Sequence, residues 1–193
     1  MQTVWTDISY LRHGTLRQQD AYRTLQTLDL FRILQAYSPS LVGTIPFDID
    51  TEQSDLDILC EAHDLNRFQQ DVRTAFSRQP HFRVRATCKD ELPAVVAGFT
   101  AEGFPVEIFA QPRPVTDQNG YRHMVVEARL LALGGEEARV RIRELKRAGL
   151  KTEPAFVRYF RLAGDPYQAL LHLAQLSEAE LAATVAGGPR SPG

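Results

Sequence analysis

The sequence predicts an α+β protein in which a mixed β-sheet with flanking helices is followed by a helical region. The alternation of apolar and polar residues that is typical of strands occurs in residues 1–112, beside segments of helical period. After Pro112 and Pro114 the alternation ends, and residues 113–187 carry helical patterns. The Gly/Pro-rich residues 188–193 are expected to be a disordered tail.

The composition limits the classes of function. A chain of 193 residues with 44% hydrophobic content can bury one ordinary core with a small helical appendage. A net charge of −2 provides no basic excess for a DNA-binding track, although a local basic patch is compatible with it. Its two cysteines make no disulfide framework, and no segment resembles a signal peptide or a membrane helix. We therefore expect a cytoplasmic protein that binds no membrane.

The first half combines two helical patterns with five strand patterns. Apolar residues at three- and four-residue spacing predict helices over residues 16–37 and 65–76, with Asp64 as the N-cap of the second. Strands are predicted over residues 41–44, 55–60, 82–87, 92–100 and 104–110. The connection through Gly103 between the last two strands is short enough for a hairpin.

The second half contains five helical patterns separated by helix-ending or helix-starting residues. Helices are predicted over residues 123–133 and 136–148, the first ended by Gly134-Gly135. Further helices are predicted to begin at Thr152 and Asp165, each a cap residue with a proline close behind. A capping box from Ser177 to Glu180 predicts a short last helix.

Asp55 and Asp57 lie two residues apart at the start of the apolar run 56–60. In a strand they share one face, with their Cα atoms roughly 6.6 Å apart, while Leu56 and Ile58 enter the core on the other. Two carboxylates about 4 Å apart repel by on the order of 4 kcal/mol at an effective dielectric of 20. A divalent cation such as Mg²⁺, which takes carboxylate and phosphate oxygens as ligands, would remove this cost. The alternative is that both residues face water at a strand end.

Two further features could complete a phosphate-binding site. Gly43 follows the first predicted strand, where it would let the backbone approach a ligand, and Thr44 offers a hydroxyl and an N–H to a phosphate oxygen. Glu107 stands between the apolar Val106 and Ile108, where a carboxylate is costly unless it is paired or bound to metal. The alternative for Glu107 is an edge-strand position facing solvent.

These residues carry a resemblance to a known superfamily. Gly43-Thr44, then Ser54-Asp55-Leu56-Asp57, then Val106-Glu107-Ile108 resemble the signature of polymerase-β-like nucleotidyltransferases: a Gly-Ser/Thr turn, a spaced Asp-x-Asp and a later acid. Thr44 stands where serine is commoner, and Glu107 where aspartate is commoner. The whole chain is similar to the family called domain of unknown function 4269, through the stretches QNGYRHMVVEARLL, GLKTEPAF and GDPYQALLHL.

The resemblance implies a nucleotidyltransferase-like sheet and a metal-dependent enzyme that moves a nucleoside monophosphate from a nucleoside triphosphate to an acceptor. Asp55, Asp57 and Glu107 would be the catalytic residues and the ligands of Mg²⁺ or Mn²⁺. Gly43, Thr44 and Ser54 would bind the nucleotide. The acceptor stays open between a small molecule, a protein and an RNA end.

Two other interpretations are compatible with the same residues. The fold could serve as a catalytically silent module that binds a nucleotide or a partner, in an antitoxin-like or regulatory role, or as a phosphohydrolase using the same ions. Lys151 clusters with Lys146 and Arg147 beside a predicted helix end, where cations complement the helix dipole. Alternatively Lys151 reaches the triphosphate, and we count it among the nucleotide-binding candidates.

Overall fold

The computed structural model describes residues 7–186, which divide into two compact units. The first contains residues 7–48 and 53–118, and the second contains residues 49–52 and 119–186. The expected disordered tail, 188–193, lies outside the described residues. Within the described part of the chain, no helix has both the length and the apolar character needed to cross a membrane.

A five-stranded mixed sheet forms the centre of the first unit, with strand order β1-β2-β5-β4-β3. The strands are β1 (Ser40–Val42), β2 (Leu56–Glu61), β3 (Arg83–Lys89), β4 (Leu92–Ala101) and β5 (Phe104–Gln111). Strands β2 and β5 are parallel, and every other neighbouring pair is antiparallel. The predicted α+β class, with its mixed sheet, is therefore confirmed.

The β4–β5 hairpin turns through two residues in the left-handed region, Glu102 with φ 47° and Gly103 with φ 85°. This confirms the hairpin predicted from the short connection. A left-handed residue fits a tight hairpin because its backbone twist matches that of the flanking strands. The turn fixes the register in which Glu107 on β5 lies opposite Gly98 on β4.

Among the described residues of the first unit, three α-helices accompany the sheet: α1 (Leu16–Thr27), α2 (Leu30–Ile33) and α3 (Leu65–Phe76). Helix α3 has the predicted bounds, and Asp64 caps it by accepting a hydrogen bond from the Arg67 N–H at 2.9 Å. One face of the sheet, including Ile58 and Ile108, is buried in the same core as Phe68. Because side chains alternate along a strand, Asp57 and Glu107 point to the opposite face.

The single helix predicted over residues 16–37 is wrong, because the chain breaks at Asp29, whose φ is 50°. Leu25 and Leu30 are both buried, yet in an unbroken helix residues five apart point about 140° away from each other. The break allows both leucines to enter one core. Helical period was visible in the sequence, but the change of direction depends on what the helix packs against.

The second unit is helical: α4 (Asn119–Arg147), α5 (Thr152–Phe160), α6 (Pro166–Leu173) and α7 (Glu178–Ala186). Gly135, with φ 63° and ψ −155°, interrupts α4 where two separate helices were predicted. A Cβ on Gly134 would lie 2.5 Å from that of Ala138, so the chain packs tightly beside the interruption. Asp165 caps the start of α6, and the Ser177–Glu180 capping box caps the start of α7, both as predicted. Thr152 does not cap α5: it is the first helical residue, and Lys151 occupies the N-cap.

Candidate active site

The turn after β1 brings the backbone of Gly43 against the side chain of Asp57. Gly43 has φ 82°, and a Cβ built on it would lie 2.6 Å from Asp57 Oδ2. Val42, one residue earlier, pairs with Asp57 in the antiparallel β1–β2 ladder. Any side chain at position 43 would therefore displace the Asp57 carboxylate as well as strain the backbone.

Thr44 and Ser54 close the loop between the glycine turn and the aspartate strand. The Thr44 hydroxyl donates to Ser54 Oγ at 3.2 Å, and Thr44 is buried. Strand β2 begins at Leu56, one residue later than predicted, so Asp55 lies immediately before the strand. The nucleotide-binding candidates Gly43, Thr44 and Ser54 thus lie together in the first unit.

Asp57 and Glu107 lie directly opposite each other on the parallel strands β2 and β5. Neighbouring strands are about 4.8 Å apart, so the two carboxylates rise from adjacent positions on one face. Burial raises the pKa of Glu107, and the negative charge of Asp55 raises it further, against the opposing effects of Arg83 and Arg85. Asp55 is therefore close enough to Glu107 to repel it.

The three acids offer only oxygen donors, the set preferred by Mg²⁺ and Mn²⁺. The register of Asp57 with Glu107 places two of these carboxylates at adjacent positions, which fits an ion held between the strands. Within residues 7–186, however, no group of three His, Cys, Asp or Glu side chains is gathered tightly enough to hold a metal ion. At least one carboxylate has to rotate before all three could share an ion.

The start of α1 supports both ends of the loop between Thr44 and Asp55, a role that the sequence did not indicate. Arg17 donates from Nη2 to the Ser54 carbonyl at 3.0 Å, and its guanidinium lies 4.4 Å from the centre of the Phe104 ring. The buried Gln18 donates from Nε2 to the Ile45 carbonyl at 2.8 Å, in the turn that follows Thr44. Gln18 also forms a capping box with Thr15, a local signal that marks the start of α1 but not its contact with this turn.

Lys151, the remaining nucleotide-binding candidate, belongs to the second unit. It is exposed at the N-cap of α5, and its charge helps to lower the pKa of Glu153. Lys146, from the same predicted cluster, donates from Nζ to the Ile49 carbonyl at 3.0 Å. A role for Lys151 in nucleotide binding stays a prediction.

A buried polar cluster joins α4 to α5 in the second unit. Burial and the charge of Glu153 raise the pKa of Glu127 to about 8, against the opposing effect of Lys146. Burial acts to raise the pKa of Glu153 as well, but hydrogen bonding and the charge of His123 outweigh it, and the net shift is downward. His123 Nε2 lies 3.1 Å from the Tyr167 carbonyl, and Nδ1 lies 3.4 Å from Glu153 Oε1. His123 thus links three helices as a structural residue.

Solved structures with similar folds include a poly(U) polymerase and an RNA terminal U-transferase. A chain of the Cid1 poly(U) polymerase bound to MgGTP superposes with a TM-score of 0.51 at 13% identity, covering 80% of this chain and 48% of that one. A chain of the GLD-2/RNP-8 complex superposes with a TM-score of 0.54 at 12% identity, covering 92% of this chain and 81% of that one. A cytoplasmic RNA terminal U-transferase superposes with a TM-score of 0.52 at 11% identity, covering 89% of this chain and 54% of that one.

These similarities establish a nucleotidyltransferase-like fold, as the sequence predicted. The chain spans about half the length of the Cid1 chains that it matches. No curated protein matches the sequence. The chain belongs to the family described as Domain of unknown function (DUF4269), whose pattern matches residues 23–173.

Proposed function

We propose that this protein is a metal-dependent nucleotidyltransferase that moves a nucleoside monophosphate from a nucleoside triphosphate to an acceptor hydroxyl or other nucleophile. The observation that carries the proposal is the register of Asp57 with Glu107 on parallel strands, beneath a glycine turn and beside Asp55. Acids this close on one face repel one another unless a cation neutralises their charge.

In this proposal Asp55, Asp57 and Glu107 hold Mg²⁺ or Mn²⁺. Such an ion supplies charge neutralisation at the triphosphate and at the oxygens that attack and leave. The backbone at Gly43 and the hydroxyls of Thr44 and Ser54, which lie 3.2 Å apart, bind the terminal phosphates. Lys151 stays a further candidate for phosphate binding.

Glu107 is the candidate proton acceptor. The acceptor oxygen forms a bond to the α-phosphorus as the bond from that phosphorus to the pyrophosphate oxygen breaks. Pyrophosphate leaves with the bonding electrons, and the acceptor's proton passes to Glu107.

Similar folds support nucleotide binding as the coarse function. The Cid1 chain was solved with MgGTP, and the other two structures belong to the GLD-2/RNP-8 complex and to an RNA terminal U-transferase. These names describe those proteins, and at 11–13% identity the similarity is one of fold. The acceptor of this chain is proposed only as a small molecule, a protein or an RNA end.

The direct test is pyrophosphate release from each labelled nucleoside triphosphate, with Mg²⁺ or Mn²⁺, together with self-labelling of the protein. Asp55→Asn and Asp57→Asn should each lower the rate at least about 100-fold, because each removes a charge that the reaction needs in place. Glu61→Gln is the matched control, since Glu61 lies on the same strand and face as Asp57 and pairs with His63 at 2.8 Å. Unchanged turnover in Asp57→Asn would refute the metal role.

The second candidate is a silent module that binds a nucleotide or a partner without turnover. One observation favours it: within residues 7–186 the three acids are not already gathered around a common point. Nucleotide binding that depends on Asp55 and Asp57, with no pyrophosphate release across several acceptor classes, would select this candidate. Pyrophosphate release that stops in both variants would exclude it.

A further inference from the structure

Four strands place one residue each in a row across the sheet face that carries Asp57 and Glu107. In the pairing of the strands, Asp57 lies opposite Glu107, Glu107 opposite Gly98, and Gly98 opposite Arg83. The row therefore runs from the acids of the candidate active site to a cation on the edge strand β3. The row has a gap at Gly98, where there is no side chain.

The Arg83 guanidinium lies over Gly98. A Cβ built on Gly98 would be 3.1 Å from both Cζ and Nη2 of Arg83. The Arg83 side chain therefore folds inward across β4, toward Glu107. Glycine at position 98 is what allows this approach, since any larger residue would occupy the path of the guanidinium.

Arg85 adds a second cation on the same face of β3. Residues two apart on a strand share a face, with Cα atoms roughly 6.6 Å apart. The charges of Arg83 and Arg85 both act to lower the pKa of Glu107, so both lie near it. Both side chains are exposed, and within residues 7–186 neither makes an ion pair or a side-chain hydrogen bond.

These arginines approach Glu107 from the side opposite to Gly43. The strand order puts β1, with Gly43 directly after it, at one edge of the sheet and β3 at the other edge. Four strand steps of about 4.8 Å separate the two edges. The phosphates proposed to lie at Gly43 and Thr44 are therefore on the other side of the acids from Arg83 and Arg85.

We propose that Arg83 and Arg85 form a binding site for a phosphate group of the acceptor, beside Glu107. The inference rests on the proposed function and narrows the acceptor to a phosphate-bearing molecule. A guanidinium presents several N–H donors in a plane and binds phosphate through paired hydrogen bonds. The free phosphate of a small molecule and the phosphodiester of an RNA end share this chemistry, so the test uses a probe for each.

Binding is measured without any nucleotide, by titration with inorganic phosphate and with a labelled single-stranded oligoribonucleotide. Arg83→Gln and Arg85→Gln should each weaken binding about tenfold, the effect of losing one charge-assisted hydrogen bond. Arg78→Gln is the matched control, because Arg78 is an exposed cation of the same unit in the turn after α3. The control should bind both probes as the unmodified protein does.

Gly98→Ala tests the position of the charge rather than its presence. The backbone at Gly98 is not in the left-handed region, and the atoms that a Cβ would meet are the flexible end of Arg83. Alanine should therefore be tolerated in the fold while it pushes the guanidinium away from Glu107. We expect this variant to weaken binding of the probe severalfold with the charge of the protein unchanged.

The two sources of phosphate are separated by comparing the two probes, and the salt dependence of binding adds a check for the nucleic acid. For a single-stranded nucleic acid, the slope of log affinity against log salt concentration should fall by about 0.7 for each arginine removed. A loss confined to inorganic phosphate assigns the site to a small phosphorylated acceptor, and a loss with both probes assigns it to an RNA end.

The inference is overturned if the Arg83→Gln, Arg85→Gln double variant binds both probes within about twofold of the unmodified protein. Pyrophosphate release, measured separately, keeps this result distinct from the proposed function. Turnover that persists without arginine-dependent binding would remove the acceptor site alone. Arginine-dependent binding without turnover of any nucleotide would remove the transfer activity alone.

Discussion

Gly43 and Asp57 are in such close contact that a change at one residue alters the position of the other. The 2.6 Å between a Cβ at position 43 and Asp57 Oδ2 is shorter than any van der Waals contact. The same glycine has a positive φ, which costs an L-residue roughly 1–2 kcal/mol. A side chain at position 43 therefore has two separate costs, the clash with Asp57 and the backbone strain, and a control variant distinguishes them.

Gly43→Ala should lower the free energy of unfolding by about 1–3 kcal/mol more than Gly103→Ala does. Gly103 has nearly the same φ, 85° against 82°, but a Cβ there would have nothing within 4 Å. The difference between the variants, measured by urea denaturation, thus reports the contact with Asp57. Equal losses in the two variants would mean that Asp57 moves away at no cost.

At the scale of elements, the start of α1 and the pairing of β2 with β5 together determine the site. Arg17 and Gln18 hold the carbonyls of Ser54 and Ile45, one on each side of the loop between Thr44 and Asp55. The parallel pairing then sets Asp57 beside Glu107. The loop is therefore supported by a helix whose sequence position gives no sign of that role.

The buried polar cluster that joins α4 to α5 predicts that the free energy of unfolding depends on pH. Glu127 keeps its proton in the folded protein up to a pKa of about 8, whereas the unfolded chain releases it near 4.5. Between these values the folded state binds more protons, so the stability from this group falls as pH rises from 4.5 to 8. The full shift corresponds to on the order of 5 kcal/mol.

Glu127→Gln should remove this fall, so that the variant is more stable than the unmodified protein at pH 8–9 and similar below about pH 4.5. Urea denaturation across the pH range measures it. Glu136→Gln, an exposed change on the same helix, should keep the unmodified pH profile. A Glu127→Gln profile parallel to that of the unmodified protein would show that Glu127 is ionised in the fold.

At the scale of the whole molecule, ligand binding should be visible as stability. A ligand that binds only the folded state at 100 times its Kd stabilises it by about 2.7 kcal/mol, or roughly 5–10 °C in a chain of this size. Mg²⁺ with a bound nucleoside triphosphate should therefore raise the Tm of the protein by about this amount. Glu61→Gln should keep the rise, and a full rise in Asp57→Asn would contradict the proposed binding site.

Local patterns were sufficient to predict much of the site. The alternation around Asp55 and Asp57, the bounds of α3 and the glycine turn all depend on neighbours within a few residues. Side-chain direction in a strand, helix capping and a positive φ are properties of short segments. Such features can be inferred before the fold is known.

Other parts of the site depend on which strands lie side by side. Nothing near Gly98 in the apolar segment 93–99 indicates that it makes room for Arg83, and nothing near Arg17 indicates that it holds Ser54. The break at Asp29 likewise follows from the need to bury leucines on both sides of it. These relations join residues far apart in the chain.

The sequence alone thus determined the α+β class, the strands to within a few residues, the helices apart from the break at Asp29, and the candidate acids. Only the tertiary structure decided that Asp57 faces Glu107, that Gly43 leaves room for Asp57, and that arginines approach from the opposite edge. The reason is physical: local conformation depends on neighbours in the chain, whereas strand order and register depend on pairings across long loops.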